Sequence, residues 1–238
     1  NNLQIKSYED LQRIDKFIGN KIGANSIYTF EANILKALAC EKKKELWEYI
    51  IGDHPIKIPR SIGNGIGGGL HTQTESIKKP DFQEFLFIPR SKSFFDAIKL
   101  NDIAYKITRK ILKAHKRNDE GAWVTDNNNE FVLLTLKKVQ ELIKKEFGQI
   151  IDIGVDFASS SFFNKKYNYK NILSNRDEEE QIKYIEYLIK KFNIFYVEDP
   201  LNENSFKGFA KLLKLIKKSK CLIVGDDITT TNPIRLKK

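Results

Sequence analysis

The chain has 238 residues, 41% of them hydrophobic and 30% charged, which is the size and balance of one large α/β domain and excludes a disordered or collagen-like polymer. No apolar run reaches the roughly 20 residues that cross a bilayer, no N-terminal stretch resembles a signal peptide, and two distant cysteines, Cys40 and Cys221, exclude a disulfide scaffold; a cytoplasmic protein with no membrane partner is expected. The net charge of +10 comes from 41 Lys and Arg against 31 Asp and Glu, but the lysines are scattered along helices, so solvated faces account for them better than a nucleic-acid partner does.

The first fifty residues read as helical. Ala24 to Cys40 is mostly apolar or small, and Leu46 to Ile51 makes a short helix that Gly52 closes. Pro55 and Pro59 mark a change of texture, which predicts a domain boundary after residue 53, with segments 1–53 and 54–238. Beyond it the chain alternates. Ile56–Ile62 reads as a strand entering a glycine-rich loop, and Phe82–Ile88 as a second strand. Ser93 to Lys116 reads as a helix opened by a Ser93/Asp96 capping box, with Ile103, Ile107 and Ile111 on one face. After a short segment near Asn118–Val124, a helix over Asn129–Phe147 carries Leu136, Val139, Ile143 and Phe147 and stops at Gly148. Ile150–Val155 is a strand, Asp177–Phe192 a helix with acids first and lysines last, and Ile194–Val197 a strand. Ser205 begins a further helix, and Leu222–Val224 is another strand. About six strands alternating with amphipathic helices predict a parallel sheet with crossover helices.

Three strands end in an acid: Asp156, Glu198 and Asp226, spaced by 42 and 28 residues, as strand–helix–strand units require. In a parallel barrel such ends open on one face, where carboxylates repel unless a hard cation such as magnesium sits between them. Helix capping is the alternative for any acid after a strand, and Asp199 and Asp227 are the better caps. Upstream, Glu84 and Glu120 can form a general-acid pair in which like charge raises one pKa, or can be ordinary polar loop residues. Gly63, Gly65 and Gly68 match the spacing of a dinucleotide fingerprint, but no helix follows, so that reading fails.

Together the motifs resemble the enolase family. Gly23-Ala24-Asn25-Ser26 is similar to its LGANA segment, and Asn64 to Gly68 with His71 to its N-x-I-N-G-G-x-H-A-G loop. Gln83-Glu84-Phe85 is similar to QEF, Asp119-Glu120-Gly121 to the core of G-D-E-G-G, and Asp156 to Ser160 to D-x-A-(A/S)-S. Glu198-Asp199-Pro200 is similar to S-I-E-D-P, and Gly225-Asp226-Asp227 with Thr231-Asn232-Pro233 to V-G-D-D-L-x-V-T-N-P.

The resemblance implies an α/β fold, an incomplete mixed β/α barrel beneath the helical part of an α+β cap. It implies a magnesium-dependent lyase of glycolysis and gluconeogenesis, a homodimer acting on a small phosphorylated carboxylate. By matching positions, Asp156, Glu198 and Asp226 would hold magnesium, Glu120 paired with Glu84 would protonate the departing hydroxyl, and Gln83 and His71 would orient substrate. Asn118, Ala122 and Trp123 depart from the pattern, as does Ser161 where Glu is usual. The family's proton-abstracting lysine would lie past Lys238, so the chain reads as the middle of a longer protein. The alternatives are an enolase-like protein with impaired catalysis, or a related enzyme acting on another carboxylate.

Overall fold

The computed structural model describes residues 5–18, 21–74 and 78–237. The chain divides into two compact units, Asn1–Ile58 and Pro59–Lys238. Among the described residues the first holds three helices, α1 (Tyr8–Ile18), α2 (Ala24–Glu41) and α3 (Leu46–Ile51). Leu11 and Ile14 of α1 and Leu38 and Ala39 of α2 are buried. Glu45 and Glu48 form a reciprocal capping box on α3, and Gly52 ends it with φ of +57°.

The second unit contains β1 (Gly63–Gly67), β2 (Glu84–Pro89), α4 (Phe94–Leu112), β3 (Trp123–Val124), α5 (Asn129–Phe147) and β4 (Ile151–Asp156). A 3-10 turn (Ser159–Phe162) leads to the short strands β5 (Phe163–Asn164), β6 (Lys166–Tyr169) and β7 (Ser174–Arg176). The chain continues through α6 (Glu178–Phe192), β8 (Tyr196–Glu198), α7 (Phe206–Leu215), β9 (Leu222–Val224) and α8 (Pro233–Leu236). Among the described residues no helix is long and apolar enough to cross a membrane.

Among the described residues the main sheet has the order β3-β1-β2-β4-β8-β9 and does not close on itself. The parallel sheet read from the strand–helix alternation has one exception, in keeping with the mixed barrel that the resemblance implies. β2 is antiparallel to both β1 and β4, whereas β1/β3, β4/β8 and β8/β9 are parallel, so five strands point one way and β2 opposes them. The described residues between β1 and β2 hold no helix, and the connection returns antiparallel without a crossover. Every residue of β4 is buried, as expected of a central strand covered on both faces.

The first strand also lies later than the Ile56–Ile62 run predicts. Those residues join no sheet, and the glycine-rich stretch itself is β1. Glycine is required there by crowding: a Cβ on Gly65 would lie 2.4 Å from the Phe87 ring of β2. The β5–β7 ribbon is not anticipated by the sequence reading, although in β6 Tyr167 and Tyr169 are buried while Lys166 is exposed and Asn168 half-buried, the two-residue period of a half-buried strand. Helix α4 stops at Leu112, where Lys113 turns left-handed, four residues short of the expected end. Ser93 accepts the Asp96 N–H, one half of the expected capping box, but the Ser205 side chain does not cap α7 and instead donates to the Glu178 carboxylate. Helices α5 and α6 match their sequence reading, with Asn128 and Asp177 as caps; Leu136, Val139 and Ile143 are buried, whereas Phe147 is exposed.

Candidate functional site

Strand register draws a single row across one end of the sheet. Val124 pairs Gly67, Gly67 pairs Glu84, Glu84 pairs Asp156, Asp156 pairs Glu198, and Glu198 pairs Val224. Five strands finish at this edge and β2 begins there. That is why an acid at the start of β2 meets acids at the ends of β4 and β8. Asp226 follows two residues beyond Val224, so its backbone leaves the sheet at the same edge.

Asp156, Glu198 and Asp199 are each held by nearby donors. Asp156 accepts the Gln83 side-chain amide at 3.0 Å on Oδ2 and the Ala158 N–H at 2.9 Å on Oδ1. Glu198 accepts the Tyr196 hydroxyl at 2.6 Å on Oε2. Asp199, left-handed at φ of +39°, accepts three backbone N–H groups: Asp226 at 3.0 Å, Asp227 at 2.7 Å and Ile228 at 3.4 Å. The helix caps expected of Asp199 and Asp227 are not formed, because α7 and α8 are entered at Ser205 and Asn232; the Asp199 carboxylate instead serves the turn after β9 that carries Asp226.

Asp156, Glu198 and Asp199 each offer an oxygen within 4.8 Å of the others. Burial pushes the Asp156 carboxyl up to about 8, and the charges of Glu198, Glu84 and Asp199 push the same way, against the Ala158 N–H. Glu198 is raised chiefly by burial, with Asp199, Asp226 and Asp227 adding to it and the Tyr196 hydroxyl opposing. An all-oxygen set of two buried acids and one half-buried acid that repel one another is the donor chemistry of a hard divalent cation.

A second group lies beside it. Glu84 is raised to about 7 by burial first, then by Glu120 and Glu198. Glu120 accepts the Asn64 side-chain amide at 3.3 Å, and His71 Nδ1 lies 3.4 Å from Glu120 Oε1 and 3.3 Å from Asp119. The turn that presents Glu120 is built by Asn118, whose Oδ1 accepts the N–H groups of Glu120 at 3.2 Å and Ala122 at 2.9 Å. Gly121, at φ of +81°, completes that turn. Trp123 points away from these acids: its ring stacks on Tyr105 of α4 at 4.7 Å and its indole N–H donates to the Tyr105 carbonyl.

The structure thus gathers Glu84, Glu120 and His71 in one cluster and Asp156 with Glu198 in the next, with Gln83 on Asp156 and Asp226 on the turn that Asp199 holds. Four residues take supporting positions that the sequence reading did not assign to them. Asn64 and Asn118 stood inside recognised motifs, Asp199 stood beside a candidate ligand, and Tyr196 gave no signal of its own.

A family model described as "Enolase, C-terminal TIM barrel domain" matches residues 55–238. The chain is 35% identical to the enolase of Pyrobaculum aerophilum over 243 residues, covering 99% of this chain and 56% of that relative. It is 33% identical to the enolase of Archaeoglobus fulgidus (98% of this chain, 57% of the relative) and 36% identical to that of Methanosphaera stadtmanae (94% and 58%). The chain spans little more than half the length of these curated relatives.

Proposed function

This chain belongs to the enolase family, and we propose that the whole protein is a magnesium-dependent lyase interconverting 2-phosphoglycerate and phosphoenolpyruvate. The observation that carries the reading is the row of paired positions Glu84, Asp156 and Glu198 at the edge where β1, β4, β8 and β9 end. Asp156, Glu198 and Asp226 would hold the ion, with Asp199 occupied by backbone donors and setting the Asp226 turn. When bound, magnesium supplies Lewis-acid stabilisation of the charge that builds on the substrate carboxylate as the neighbouring proton leaves.

The chain's own residues handle the departing hydroxyl. Burial and the neighbouring acids raise the Glu84 carboxyl to about 7, and beside it Glu120 would be the group that delivers a proton to the leaving oxygen. The Asn64 amide, donating to Glu120 Oε2, sets the direction of that carboxyl. His71, beside Glu120, and Gln83, beside Asp156, would orient substrate between the two acid groups. The same reading makes the protein a cytoplasmic homodimer of glycolysis and gluconeogenesis.

The test is direct. Full-length protein given 2-phosphoglycerate should raise ultraviolet absorbance as the conjugated enol phosphate forms, with magnesium and not with chelator, at roughly 1–10³ turnovers per second. A folded, magnesium-replete preparation that leaves this substrate untouched while dehydrating a different carboxylate would overturn the assignment.

A further inference from the structure

Tyr196 stands two residues before Glu198 on β8, so the two side chains leave the same face of the strand. Its hydroxyl reaches Glu198 Oε2 at 2.6 Å, the length of a hydrogen bond to an ionised acceptor. Room for the ring comes from the neighbouring strand. Gly154 of β4 pairs with Tyr196, and a Cβ on that glycine would lie 3.0 Å from Tyr196 Cβ and 3.1 Å from its Cδ1. The next acids along the same two strands, Asp156 and Glu198, pair with each other in turn. The glycine, the phenol and the carboxylate therefore form one arrangement, in which β4 yields space so that β8 can brace its own terminal acid.

We infer that Tyr196 is a positioning residue of the divalent-cation site: by engaging Oε2 it fixes the Glu198 carboxylate and leaves Oε1 as the atom presented beside Asp156. The inference rests on the reading of Asp156 and Glu198 as metal ligands. A phenol suits the task because it donates one hydrogen bond and adds no charge to a site whose ligands are all anionic. Hydrogen-bonded partners of metal ligands typically contribute roughly 10–100-fold to metal affinity.

Tyr196→Phe keeps the ring against Gly154 and removes only the donor. Calorimetric titration of substrate-free, full-length protein with magnesium alone should show affinity weakened roughly tenfold or more. Thermal unfolding of the metal-free protein should stay close to that of the wild type. In a Glu198→Gln background the same substitution should have no further effect on magnesium binding, because the group it orients is already changed. Wild-type magnesium affinity in Y196F overturns the assignment. So does an undiminished loss in the Glu198→Gln background, and so does a metal-free protein destabilised in step with the affinity loss, which marks a packing role only. Failure of the wild type to bind magnesium, or unchanged binding in Asp156→Asn, would instead remove the metal site itself.

Discussion

Asp152 and Asp156 lie on the same strand, equally buried at 6% exposure, and meet opposite surroundings. Asp152 is gripped by Arg90 through two hydrogen bonds of 2.7 and 2.8 Å, so its charge is neutralised in place. The charges that bear on Asp156 are acids. Burying a carboxylate among other carboxylates costs stability unless a cation joins them, and that contrast along four residues is what singles out Asp156. Two substitutions separate the roles of the neighbouring groups. Glu120→Gln should lower kcat by about 10²–10⁴-fold while magnesium affinity stays near that of the wild type, and Asp156→Asn should weaken magnesium affinity. Steady-state kinetics and titration calorimetry on the full-length protein read both effects. Near-normal turnover in Glu120→Gln would remove that residue from the acid role.

At the scale of elements, the parts that were legible in the sequence are those whose burial repeats. Helices α5 and α6 carry apolar stripes over 19 and 15 residues with caps at their N-termini, and β4, β8 and β9 are apolar runs that lead into acids. β1 was misplaced because its signal is the reverse of a strand's: three of its five residues are glycine, chosen by the Phe87 ring and Asn118 pressing on it. Asp156 and Glu198 were legible as strand ends. Tyr196 and Asn64 were not, because Gly154 opposite one and Glu120 near the other follow from strand register and a distant turn. Gly65→Ala should therefore destabilise the protein by about 1–3 kcal/mol, read as a lower urea midpoint at unchanged slope. Leu in place of Phe87 should recover part of the loss; if Gly65→Ala is neutral alone, the crowding argument for β1 fails.

The whole molecule inherits a pH dependence from its acid edge. Asp156 and Glu84 are raised to about 8 and about 7, above the ordinary carboxylate range they regain on unfolding. The folded state then binds more protons than the unfolded state between about pH 4 and pH 8, so stability falls as pH rises through that window. Metal-free protein should show its melting temperature decline from about pH 5 to pH 8. Saturating magnesium should flatten the slope, because ligation requires the ionised acids and favours the folded state. A metal-free melting curve that is level across this range, or a decline unaffected by magnesium, would show that the acid edge does not govern stability.

The reversed direction of β2 has a practical consequence for anyone altering this chain. For the other five strands of the sheet, additions after a strand fall at the mouth of the site; for β2 they fall at the opposite end, where Pro89 pairs Ile151 and Arg90 clasps Asp152. A linker, epitope or reporter group spliced between Ser91 and Ser93 would thus hang from the far pole of the sheet, whereas the same insert just ahead of Gln83 would sit among the acids.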